Sequence, residues 1–178
     1  MKLSLSSLAA TAVVIAAPSS ALAQGWYADG GYTHITTDVD GTSGDIDLGT
    51  ITGHLGYDLN QTFGVEGEVA FGVNDEDTTV GDVTTSLGLN YLVGVYGKAQ
   101  MPLGERAKLF ARAGIVNAEL EAETTGLGST EQSETGAGYG VGGTVDISQN
   151  LFVRGDYTRY DIDDLEADAF TVGVGLKF

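Results

Sequence analysis

The stretch AFTVGVGLKF, residues 169–178, decides the fold. Phe170, Val172, Val174, Leu176 and Phe178 take every second position, and Thr171, Gly173, Gly175 and Lys177 between them are small or polar. That is the alternation of a strand with one apolar face. It runs on to an aromatic at Phe178, where a soluble domain commonly trails off into polar, loosely held residues.

The other end of the chain supplies the compartment. Met1-Lys2 forms a short positive start, Leu8 to Ala17 is mostly apolar, and Ala21-Leu22-Ala23 is a small-x-small cleavage site before Gln24. Residues 1–23 therefore read as a secretory signal peptide and residues 24–178 as one mature domain. As a membrane anchor the segment is broken by Pro18-Ser19-Ser20 and falls short of the ~20 apolar residues a spanning helix needs. No later segment has such an apolar length, so any membrane residence must be by strands.

Composition narrows the chemistry. The full chain carries 8 Lys+Arg against 25 Asp+Glu, a net charge of −17, and loss of Lys2 with the leader makes it −18. Nucleic acid and heparin-like polyanions are thereby poor partners. With no cysteine, thiol catalysis and cysteine-built zinc sites are excluded. Glycine, at 27 of 178 residues, is about twice its usual share, which points to close backbone packing within strands.

Alternation marks eight strands, near 25–37, 48–59, 62–73, 83–99, 108–118, 136–147, 151–160 and 169–178, with no helical period between them. The fold class is all-β, an eight-stranded antiparallel up-and-down barrel. The connections at 38–47, 74–82, 119–134 and 161–168 are long and hold 18 of the 25 carboxylates without one Lys or Arg; those near 60–61, 100–107 and 148–150 are mostly shorter. Long and short connections alternate, so all the long ones lie at one end, the asymmetry of a membrane barrel.

The two strand faces separate membrane and soluble barrels. One set is apolar and free of charge, as in Ile51, Leu55 and Tyr57, Val65, Val69 and Phe71, Leu87, Leu89, Tyr91, Val93 and Val95, and Phe170 to Phe178, with aromatics such as Trp26 and Phe63 towards strand ends. Facing lipid, such aromatics form interfacial belts. The second set is rich in glycine, with Gly136, Gly138, Gly140 and Gly142 in succession, which suits a lumen just wide enough for side chains. It also carries Asp29, Glu66, Glu68 and Asp156 with Lys98, Arg112, Arg154 and Lys177. All but Lys98 and Lys177 fall about four to six residues from the short-turn end, those two lying lower. Confined charges are costly unless paired, so a lumenal ion-pair network is the expectation.

The leader, the opening strand GWYADGGYTH and the closing strand AFTVGVGLKF together resemble the small eight-stranded outer-membrane barrels of the OmpA and OmpX type, a group that extends to porin-family proteins. The resemblance implies short turns and both termini in the periplasm. It implies that the outer-membrane assembly machinery reads the closing strand through Phe170, Val172, Val174, Leu176 and Phe178, and that the charge set blocks the lumen. It also implies lipid and lipopolysaccharide as surroundings. Nothing follows Phe178, so the peptidoglycan-binding domain of full-length OmpA proteins is not expected.

Catalytic and metal chemistry fare poorly. A lipid-acting hydrolase needs His beside Ser and a carboxylate, but the two histidines stand in THITT (His34) and GHLGY (His54). The loop DVDGTSGDID places acids at Asp38, Asp40, Asp45 and Asp47, yet glycine falls at positions 4 and 7 of the would-be calcium loop and Gly49 replaces its closing Glu. GAGYGVGG sits in a strand and opens no helix, so it is no phosphate loop. No catalytic residue, metal ligand or cofactor is expected, and the acidic loops at most attract divalent cations near lipopolysaccharide phosphates. The expected function is a structural or surface-interaction role with a plugged lumen. A narrow ion-conducting pore is the alternative, and a lipid A-modifying enzyme stands third.

Overall fold

The structure, a computed structural model, describes residues 25–37, 46–73, 76–80, 83–124, 128–162 and 165–178. The expected signal peptide, residues 1–23, and most of the first acidic loop lie outside them. Strands run over β1 (Trp26–Thr37), β2 (Ile46–Asp58), β3 (Phe63–Gly72), β4 (Glu76–Val80), β5 (Val83–Leu103), β6 (Ala107–Thr124), β7 (Gly128–Asp146), β8 (Leu151–Ile162) and β9 (Leu165–Lys177). Except for β3 and β4, neighbours in sequence pair antiparallel, and β9 returns to β1 with Tyr27 opposite Lys177 and Thr37 opposite Ala167. Phe178 adds a backbone N–H to Trp26 O at 2.9 Å.

Nine strands make an eight-stranded barrel because the third place is filled twice. β3 pairs with the lower part of β5 (Phe63 opposite Ala99 to Ala70 opposite Leu92), and β4 pairs with its upper part (Glu76 opposite Leu87 to Val80 opposite Val83). The circuit is closed, so no long edge is left to satisfy in lipid. Among the described residues no helix is long and apolar enough to cross a membrane.

The tight turns are built by side chains at one end. Asn60 Oδ1 accepts the backbone N–H groups of Thr62 and Phe63 at 2.8 Å each, Gly104 adopts φ +79°, and Ser148 Oγ accepts Leu151 N–H at 3.2 Å. The opposite end corrects the sequence reading. Much of the acidic connections at 74–82, 119–134 and 161–168 is paired strand: β6 and β7 stay in register from Glu119 opposite Ser133 to Thr124 opposite Gly128, and β8 and β9 continue to Ile162 opposite Leu165. The period of two persists there, as in Glu119-Leu120-Glu121-Ala122-Glu123. Charge signals loop only where lipid must be faced; beyond lipid a strand carries acids freely.

The apolar set forms the outer surface, with Val95, Ile115 and Val141 exposed by 60–70%. Leu89 is the exception. A register shift between Leu89 and Tyr91 turns it inward, where it is buried with Leu92, because a bulge inserts one extra residue and so changes the face on which its neighbour falls. The interior is layered. Towards the acidic end Ile35, Leu48, Leu89, Leu92, Val116 and Ile162 form part of an apolar cluster. Below it Thr33 meets Thr52 at 2.7 Å and Thr171 at 2.8 Å, and below these lie the charged residues.

Candidate functional site

Six of the eight charges picked out in the sequence meet at one level. β3 carries Glu66 and Glu68 on its inner face, β1 Asp29, β6 Arg112, and β8 Arg154 and Asp156; each side chain is at most 1% exposed. Arg154 forks onto Glu66, Nη1 to Oε2 at 2.8 Å and Nη2 to Oε1 at 3.0 Å, while its Nε reaches Asp156 Oδ1 at 2.5 Å. Arg112 spans three carboxylates: Glu66 Oε1 at 3.0 Å, Glu68 Oε2 at 2.6 Å and Asp156 Oδ2 at 3.3 Å. The planar guanidinium suits such forked pairing.

The two lysines lie lower. Lys98 Nζ donates to Tyr27 OH at 2.7 Å and pairs with Asp58 at 3.1 Å, and Tyr27 OH in turn donates to Glu66 Oε2 at 2.5 Å. Lys98 thus joins the network through a tyrosine. Lys177 lies apart from it: its Nζ sits 2.5 Å from Asp146 Oδ1, and Lys108 pairs with Asp58 at 3.2 Å. Tyr27, Asp58, Lys98, Lys108 and Lys177 line a cavity of about 30 Å³ at the tight-turn mouth, which also has Gln100, Phe152 and Arg154 among its walls. Such a space holds water rather than a solute.

Sequence reasoning passed over the polar partners and the rings. His54 stands between two acids, Nδ1 2.6 Å from Asp29 Oδ1 and Nε2 3.0 Å from Glu68 Oε2. Tyr96 and Tyr160 both donate to Glu68 Oε1, at 3.0 and 2.8 Å. Arg112 lies 4.5 Å from the Tyr96 ring centre and Arg154 4.7 Å from that of Phe110, so the cations are stacked as well as paired.

The inner glycines make room for these rings. A Cβ on Gly56 would stand 2.0 Å from Tyr27 Cζ, and one on Gly142 2.6 Å from Phe110 Cζ. The signal was present in the sequence, since Tyr27, Tyr96, Phe110, Phe152 and Tyr160 share the phase of the inward charged residues of their strands, Asp29, Lys98, Arg112, Arg154 and Asp156. His34, by contrast, is on the outer face near the acidic end, 3.5 Å from Thr36 Oγ1.

A closed eight-stranded circuit with an apolar exterior and a polar, hydrogen-bonded interior is a transmembrane barrel. The chain belongs to the outer membrane protein beta-barrel domain family, whose model matches residues 5–178, and its place is the cell outer membrane. No curated protein sequence matches it. Similar solved structures include Ail, the attachment invasion locus protein of Yersinia pestis, in complex with the heparin analogue sucrose octasulfate: 20% identity, TM-score 0.67, 88% of this chain and 100% of that one covered. Neisserial surface protein A is similar at 15% identity and TM-score 0.65, covering 86% of this chain and 97% of its own. The N-terminal barrel of Pseudomonas aeruginosa OprF follows at 15% and 0.61, with 87% and 98% covered. At these identities the likeness is one of fold.

Proposed function

We propose that this outer-membrane barrel is a structural and surface-interaction protein whose lumen is closed and whose acidic end faces outward. The observation that carries the reading is Glu66, on which both lumenal arginines and Tyr27 converge, with the apolar layer of Ile35, Leu92 and Val116 stacked above. An ion crossing the barrel would have to part both layers. His54 is not placed to activate a hydroxyl, because each of its ring nitrogens is engaged by a carboxylate. The polyanion bound to Ail is not carried over to this chain, whose four acidic segments hold no basic residue.

The test is conductance in a planar bilayer, with a heat-shifted gel band certifying the folded state. Verifiably inserted protein is expected to be silent. Discrete steps that vanish or change selectivity in Arg112→Ala would replace this reading with a narrow pore.

The outward row Phe170, Val172, Val174 and Leu176 of β9, with Phe178 beyond it, is proposed as the strand that the assembly machinery recognises. Phe178→Ala is then expected to lower the amount of barrel reaching the outer membrane in cells while leaving the urea midpoint of refolded protein unchanged. Equal losses in both would reduce Phe178 to a packing residue.

A further inference from the structure

Four carboxylates and two arginines make up the fully enclosed charge layer, and Lys98 joins them through Tyr27. At the mouth Lys98 and Lys108 share Asp58, and Lys177 pairs with Asp146. Counted together, layer and mouth hold six carboxylates, from Asp29, Asp58, Glu66, Glu68, Asp146 and Asp156, against five cationic side chains, from Lys98, Lys108, Arg112, Arg154 and Lys177. One cation is missing from the sum, and confined charge is costly when uncompensated.

His54 stands where that cation is needed. Glu68 already accepts the Tyr96 and Tyr160 hydroxyls on Oε1, and its Oε2 is ion-paired with Arg112 Nη1 at 2.6 Å. A carboxyl so supplied with donors is ionised and can only accept, so His54 Nε2, 3.0 Å from Oε2, must carry a hydrogen. On the other side Asp29 accepts Arg154 Nη1 on Oδ2 at 3.3 Å, and its Oδ1 lies 2.6 Å from His54 Nδ1. That contact needs a hydrogen too. The groups that face His54 are thus Asp29 of β1 and Glu68 of β3, backed by Arg154 and Tyr160 of β8, Arg112 of β6 and Tyr96 of β5.

We infer that His54 is held as a doubly protonated imidazolium, the cation that completes this sum, and that the barrel interior is a binding site for one proton. The inference concerns the charge state of the interior and does not depend on whether the barrel conducts. Its consequence is that loss of this proton in alkaline medium leaves Asp29 and Glu68 facing each other across a neutral ring, with a net negative charge sealed among the strands.

The experiment is ¹⁵N NMR of the refolded barrel labelled at histidine. The chain has two histidines, and His34→Gln, an exposed change, leaves His54 as the one signal. Both ring nitrogens are expected to be of the protonated type at pH 7; one bare nitrogen there overturns the inference. A second measurement reads the charge itself. His54→Gln should lower the urea midpoint, and adding Asp29→Asn, which restores the balance of charge, should raise it again. A further fall in the double variant, equal to the sum of the single losses, overturns the inference independently. Conductance is silent in either case if the lumen is closed, so failure here is distinguishable from failure of the closed-lumen reading.

Discussion

Glu66→Ala is expected to cost the barrel about 3–5 kcal/mol, read as a fall in the urea midpoint of refolded protein in detergent. Four donors end on this carboxylate: Arg112 Nη1 and Arg154 Nη2 on Oε1, Arg154 Nη1 and Tyr27 OH on Oε2. Removing it leaves two enclosed guanidinium groups short of an acceptor and takes from the Tyr27 hydroxyl the acceptor it donates to. The figure is the cost of orphaning the partners, not the worth of the network against an apolar replacement, which is often near zero. Glu66→Gln, which keeps the shape and an acceptor oxygen, should cost less. A change in midpoint below about 0.5 kcal/mol for Glu66→Ala, the level of an ordinary surface substitution, would mean that water reaches the layer and that the lumen is open.

Val95→Arg is the second large effect, expected at about 2–4 kcal/mol. Val95 is 70% exposed on the outer face of β5, between Gly67 of β3 and Ile115 of β6, and no polar side chain flanks it there. At mid-depth in lipid an arginine must reach far to find water. The same change at Leu103, at the tight-turn end of β5, should cost only about 0–1 kcal/mol, since it stands near the interface. The gradient from Leu103 to Val95 locates the lipid. Equal, small costs at both sites would place this face in water.

Much of this was readable in the chain. Strand alternation is a local property: a residue and its second neighbour lie on one face whatever the strand pairs with, so the apolar belt and the glycine-rich inner set could be assigned residue by residue. The acids and arginines of the interior followed from the same phase. What misled was the use of charge as a sign of loop, which hid the paired extensions of β6 and β7, and the assumption of unbroken phase, which put Leu89 on the wrong face. The second error is not visible locally, because a bulge is defined by the partner strand as much as by its own residues.

The sequence by itself determined a strand-built membrane protein, the two faces of its wall and the enclosure of Asp29, Glu66, Glu68, Arg112, Arg154 and Asp156. Only the tertiary structure decided who pairs with whom. Lys177 sits on the inner face but meets Asp146 at the mouth, while His54, far from both acids in the chain, closes between Asp29 and Glu68. Register sets the height of each residue in the barrel, and height is a relation among eight strands. Alternation within any one of them carries no record of it.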